Sequence, residues 1–247
     1  MKAIDVNGSG EQDGFPYELR TAAVDALIVY LGDKPSEKLT CQIRHCVDQV
    51  RQQLTEGIVE LVPAYTSILI QYDLRTISEV ELRQRLSLLL DQCDMGEAEQ
   101  VPRQRIVLPV CYDVSLAPDL MRLSEVKQLS PDEIVTIHSD KCYQVFAVGF
   151  SPGFAYLGEL DTRLQVSRLD TPRTTVPAGS VAVANRSTTV YPQMTPGGWW
   201  LIGRCPLPMF DKSRTPQSLI QVGDEVIFQP LSLDEYKNWR AESCSRG

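Results

Sequence analysis

The stretch from Gly149 to Asp211 most constrains what this chain can fold into. It holds seven of the 16 prolines, seven of the 15 glycines and two of the three tryptophans in about a quarter of the length. Proline fixes φ and removes a backbone donor, while glycine opens φ > 0. Alternating them with Phe, Tyr, Trp and Arg makes stiff loops that display large side chains. Loops of that kind, held on a scaffold, are where binding and catalysis usually sit. Ordinary turns between short strands are the plainer reading, but turns alone leave the arginine and aromatic spacing unexplained.

The stretch is built from five pieces in order. Gly149-Phe150-Ser151-Pro152-Gly153-Phe154-Ala155-Tyr156-Leu157 comes first, then Thr171-Pro172-Arg173-Thr174-Thr175-Val176-Pro177-Ala178-Gly179-Ser180-Val181. Tyr191-Pro192, Pro196-Gly197-Gly198-Trp199 and Ile202-Gly203-Arg204-Cys205-Pro206 follow. Any one is a weak signal; the ordered set is specific. It closely resembles the KipI / allophanate-hydrolase-subunit-1 family, whose bacterial members include the B component of an ATP-dependent 5-oxoprolinase. The resemblance covers nearly all of the chain after its first residues. Ser167, Thr189 and Cys205 depart from the family pattern, where Pro, Gly and Thr are common.

At 247 residues the chain is long enough for one large or two small domains. A net charge of -8 with no basic stripe argues against a nucleic-acid partner. No apolar run approaches the length of a membrane span. Seven scattered cysteines, an odd number, without a secretory signal read as reduced thiols and a cytoplasmic location. Cys41, His45 and Cys46 cluster but lack further ligands downstream, so no metal site is expected.

Residues 1–16 read as a disordered tail. Leu19–Gly32 reads as a strand, Pro35–Thr55 as a helix with Leu39, Ile43, Cys46, Val47, Val50 and Leu54 on one face. Strands at Ile58–Pro63 and Ser67–Tyr72 follow, then a helix opened by Ser78 and Glu81. This β-α-β-β-α order over 17–91 predicts an α+β fold, a small split-βαβ, ferredoxin-like domain. The polar residues 92–105 read as a linker. Over 106–232, strands at Ile106–Tyr112, Lys141–Gly149, Gln165-Val166, Gly179–Ala184, Thr188–Tyr191, Trp199–Gly203 and Glu225–Gln229 suggest a barrel closing its edges. Two short helices, Pro118–Gln128 and one opened by Ser130-Pro131-Asp132-Glu133, interrupt them. The family resemblance implies that this half is a cyclophilin-like β-barrel. Residues 233–247 read as a frayed helix and tail.

No catalytic triad elbow, P-loop or dinucleotide fingerprint is present. Arg173 and Arg204 sit in proline-stiffened loops, and guanidinium offers paired donors matched to carboxylate or phosphate. Loop-pinning salt bridges are the alternative for both. His138 is a third catalytic candidate, in a place where the family commonly has His; a helix C-terminal role is the alternative. Ser180 either donates to a ligand or caps its turn. Tyr156, Tyr191 and Trp199 offer flat walls with polar handles. Gly197 and Gly198 flank that wall, and Pro152 and Gly153 form a lip over the barrel mouth. Of Trp199 and Trp200, one faces in and one out.

The resemblance implies one component of a complex, which works with a homologous C component and an A component to open 5-oxoproline to glutamate. It implies ATP with Mg2+ at the level of that complex and inactivity alone. Two alternatives stay open: an allophanate-hydrolase or urea-carboxylase component, and a non-catalytic inhibitor of a sensor histidine kinase.

Overall fold

The structure is a computed structural model that describes residues 16–93 and 104–245, with side chains through 239. It divides into two compact units, Met1–Pro102 and Arg103–Gly247. The tail expected at 1–16 lies almost wholly outside the described residues, and so does most of the linker expected at 92–105.

In the first unit, β1 (Glu18–Ala23) and β2 (Ala26–Tyr30) form an antiparallel hairpin. The single strand expected over Leu19–Gly32 is therefore two. Only the second half is apolar enough to be buried; the first half exposes Arg20, Thr21, Ala22 and Ala23. Val24 and Asp25 make the turn. Tyr72 Oη donates to the Val24 carbonyl and Gln71 Nε2 to the Asp25 carboxylate, each at 3.0 Å. α1 (Glu37–Gln53) starts where Ser36 Oγ accepts the Leu39 N–H. β3 (Ile58–Ala64), β4 (Ser67–Tyr72) and α2 (Glu79–Gln92) complete the unit. The strands run β1-β2-β4-β3, every neighbour antiparallel. Ile68, Ile70 and Tyr72 alternate along β4 onto one face, where they meet Leu27, Val29, Ile43, Val47, Leu82 and Leu86. Each fully buried side chain of this kind contributes about 1.5–3 kcal/mol.

The second unit starts with β5 (Arg105–Cys111), α3 (Leu120–Lys127), α4 (Pro131–Ser139) and β6 (Cys142–Val148). α4 begins with a full capping box: Ser130 Oγ accepts the Glu133 N–H while the Glu133 carboxylate accepts the Ser130 N–H, with Pro131 in the first turn. Then come β7 (Ala155–Gly158), β8 (Arg173–Val176), β9 (Ser180–Ala184), β10 (Ser187–Val190), β11 (Thr195–Gly197), β12 (Trp200–Arg204), β13 (Glu225–Leu231) and α5 (Leu233–Ser245). The order β6-β13-β5-β12-β9-β10-β7, with β7 pairing back onto β6, closes a seven-stranded barrel. Among these strands only β13 and β5 run parallel to each other. Closure pairs every barrel strand on both sides, so the ladder has no open edge.

Alternation along the strands separates two apolar layers. Val181 and Val183 of β9, and Trp200 and Ile202 of β12, point into the barrel with Leu108, Val145 and Phe228. Ala182, Ala184 and Leu201 point outward into a second, smaller cluster. A two-stranded ribbon of β8 and β11 adds Val176 to that cluster from outside the barrel wall. Gln165-Val166 is not a strand; it is a loop tied by the Asn185 N–H to the Val166 carbonyl at 2.6 Å. The helix expected within the C-terminal residues is present as α5, Leu233–Ser245. Ser232 and Glu235 cap α5 reciprocally, and Tyr236 is buried. Among the described residues no helix is long and apolar enough to cross a membrane.

Candidate functional site

The outward cluster is aromatic. Phe154 sits at its centre, edge-on to Tyr156 at 5.0 Å, Phe150 at 5.2 Å, Tyr191 at 5.3 Å and Trp199 at 5.9 Å between ring centroids. Edge-to-face packing is the favoured geometry for such rings. The tight turn 149–154 supplies two of the rings: Gly149 N–H donates to the Phe154 carbonyl, and Phe154 N–H to the Ser151 carbonyl. Phe150 takes a φ of 74° and stays 67% exposed, so the cluster has an open rim. Pro152 is exposed beside it, while Gly153 is buried where a Cβ would meet the Met209 carbonyl at 2.9 Å. The loop thus sets Phe150 and Phe154 at the outer aromatic cluster, while Gly153 packs against Met209 of the inner core. Arg168 lies over the Trp199 ring, 5.9 Å from its centroid.

Gly197 and Gly198 let backbone approach this wall closely. A Cβ on Gly197 would stand 2.3 Å from Tyr191 Oη. The Gly198 carbonyl accepts the Leu169 N–H at 2.7 Å, and the residue packs against Pro172. Burial pushes the Tyr191 phenol up; a hydrogen bond from the Trp199 backbone and the charges of Arg168 and Arg173 pull it back.

Arg173 starts β8, paired with Gly197 across the ribbon. Its Nη2 makes a 2.5 Å ion pair with Asp119 Oδ1. The Asp119 side chain is only 4% exposed, and its Oδ2 accepts the Leu201 N–H at 2.7 Å. Asp119 N–H in turn donates to the Leu201 carbonyl. The carboxylate is therefore satisfied on both oxygens. Arg173 Nη1, by contrast, is buried and has no hydrogen-bond partner among the described residues. A buried donor without an acceptor costs about 1–3 kcal/mol.

Asp119 and Arg168 escape a reading of the sequence alone. Asp119 follows Pro118 at a helix start, where an acid reads as an N-cap. It makes no side-chain cap hydrogen bond to α3; it reaches a partner 54 residues away.

The structure does not add Arg204 to the Arg173 hydrogen-bond set. Arg204 lies three residues beyond Leu201 on β12, about 10 Å along the strand. There its Nη1 donates to the Ala178 carbonyl at 3.3 Å, under the turn that Gly179 makes at φ 80°. Ser180 is fully buried and its hydroxyl donates to the Pro177 carbonyl at 2.8 Å, so it caps the turn. Trp199 belongs to the outer cluster and Trp200 to the barrel core, where its indole N–H donates to the Ser167 carbonyl.

His138 also leaves the candidate set. It is fully buried, stacked on Phe228 at 4.5 Å, and both ring nitrogens are used. Thr188 Oγ1 donates to the Ala182 carbonyl, so it accepts from His138 Nε2–H at 2.8 Å. Tyr112 Oη then donates to Nδ1, also at 2.8 Å. This chain of donors fixes one neutral tautomer. Burial lowers the imidazole to about 3. A neutral, enclosed ring is a polar strut of the core.

Residues 17–220 match the family model "Carboxyltransferase domain, subdomain C and D". Among curated proteins the chain is similar to the 5-oxoprolinase B subunit of Bacillus subtilis, 33% identical over 92% of this chain and 98% of that protein. It is 36% identical to the 5-oxoprolinase B subunit of Haemophilus influenzae over 71% of this chain and 81% of that one. Urea amidolyase of Saccharomyces cerevisiae is 24% identical, over 90% of this chain but 13% of that protein. Among solved structures TTHA0988 superposes with a TM-score of 0.73 at 29% identity, over 84% of this chain and 40% of that chain. Urea amidolyase of K. lactis, at 18% identity and a TM-score of 0.69 over 93% of this chain and 16% of that chain, shares the fold. With a family match across most of its length and relatives above 30% identity, the chain belongs to the carboxyltransferase-domain family, subdomains C and D, together with the bacterial 5-oxoprolinase B subunits.

Proposed function

We propose that this protein is the B subunit of an ATP-dependent 5-oxoprolinase, which opens 5-oxo-L-proline to L-glutamate together with a homologous C component and an A component. The reading rests on the family match and on one observation of this chain. Arg173 is a guanidinium fixed by a buried carboxylate, with a second nitrogen that has no acceptor among the described residues, beside an open-rimmed aromatic wall. A planar five-membered lactam with a carboxylate suits such a place. Tyr156 and Trp199 would flank the ring, Arg173 the anion. Hydrolysis of a lactam C–N bond builds negative charge on the carbonyl oxygen, and fixed cations and N–H donors stabilise it. Coupling to ATP would supply the driving force through phosphorylation of that oxygen. In this reading Mg2+ and nucleotide belong to the complex, and this chain's part is confined to the organic substrate. A ferredoxin-like first unit and a cyclophilin-like barrel belong to the same reading.

The test is phosphate release on 5-oxoproline by the purified chain alone and after addition of its cognate C and A components. Turnover only in the full set supports the reading. Turnover by the single chain, or a full set active on urea or allophanate and inert to 5-oxoproline, contradicts it.

A further inference from the structure

We propose that Asp119 is the positioning residue of this site, and that the acceptor missing from Arg173 Nη1 is the carboxylate of the substrate. The inference rests on the reading above and adds to it the residue that aims the arginine. Three observations converge. The Asp119 carboxylate is buried, and each of its oxygens has a partner, Arg173 Nη2 and the Leu201 N–H. It does not cap the helix it precedes, so its placement serves the tertiary contact. The Asp119 and Leu201 backbones are joined in the reverse direction as well, which fixes the carboxylate to the barrel wall rather than to a mobile loop.

A guanidinium is planar, so immobilising Nη2 also sets the direction of Nη1. Arg173 would otherwise be free to turn toward water, since its side chain is 29% exposed. Held by Asp119, it keeps Nη1 buried and without a partner among the described residues. The arrangement has a definite chemical preference. The neighbouring charge of Arg168 and the hydrogen-bonded Tyr191 favour an anion, and a carboxylate presents two oxygens in the plane that a guanidinium reads. A neutral lactam or urea lacks that group.

The experiment compares wild type, Asp119→Asn and Arg173→Lys in the reconstituted complex. Asn keeps an acceptor for the Leu201 N–H but loses the charge that holds the arginine; Lys keeps the charge but has no second terminal nitrogen. Both are expected to raise KM for 5-oxoproline about 10- to 100-fold, with kcat within about threefold, in a variant that still folds and assembles. An unchanged KM in either folded variant overturns the proposal. So does a variant in which kcat and melting temperature fall while KM holds, since that is what a merely structural ion pair predicts. Should Asp119→Asn not fold, Arg173→Lys carries the same measurement. A wild-type complex without 5-oxoproline-dependent ATP hydrolysis defeats the functional reading separately. Calorimetric titration of 5-oxoproline into the isolated chain then decides: binding lost in Asp119→Asn supports the proposal, and no binding by wild type overturns it.

Discussion

His138 gives the sharpest quantitative expectation. Its imidazole is neutral and enclosed, and its folded pKa of about 3 lies below the ordinary value of 6.5. Burial disfavours the cation, so the unfolded chain binds the proton first as the pH falls. Stability is therefore fully present above pH 6.5 and is lost as the pH drops toward 3. The loss amounts to about 2 kcal/mol by pH 5 and approaches about 5 kcal/mol below pH 3, at about 1.36 kcal/mol per unit. Against a typical total of about 5–15 kcal/mol, the first figure alone is easily measured. Held low by their partners, carboxylates such as Asp161, at about 2 with the Arg163 guanidinium beside it, act only further down the scale. The assay is urea unfolding at intervals from pH 7.5 to 5, for wild type and His138→Gln. Gln cannot titrate, so its slope over this range should be shallower by about 1.3 kcal/mol per pH unit near pH 5. Parallel slopes would refute the reasoning, because they would mean that His138 gains its proton without opening the core.

Two further substitutions test local geometry. Gly179→Ala places a Cβ 2.4 Å from the Cys205 carbonyl at a φ of 80°, so it should cost at least about 2 kcal/mol in urea unfolding, whereas Gly149→Ala, with nothing within 4 Å, should stay within about 0.5 kcal/mol. Ser130→Ala removes the capping box of α4 and should lower stability by about 1 kcal/mol with no change in the spectrum of the folded state.

Much of the scaffold was legible because strong local signals coincide with burial. The 3–4 spacing from Leu39 to Val50 and the Ser130–Glu133 box each have one physical solution. The misreadings share a cause. Leu19–Gly32 hides a hairpin whose turn is Val24-Asp25, without glycine or proline. β7, β8 and β11 are three or four residues long, too short for a period of two to register. At the site, composition marked the right stretch but could not rank its members. Ser180 and His138 carry reactive groups, and only the fold reveals that Pro177, Tyr112 and Thr188 consume them. Asp119 lies outside the conspicuous stretch altogether, and its partner becomes evident only when β12 and the ribbon are brought together.

The most direct measurement of the central claim is 5-oxoproline-dependent ATP hydrolysis by the reconstituted complex carrying Arg173→Ala, with assembly followed by gel filtration. Removing a charged donor from a water-poor site costs ~2–4 kcal/mol, roughly a 30- to 1000-fold loss in kcat/KM. The account predicts that loss in a complex that assembles normally, whereas an exposed salt bridge would be worth only about 0–1 kcal/mol. Near-normal turnover by an assembled Arg173→Ala complex would contradict it.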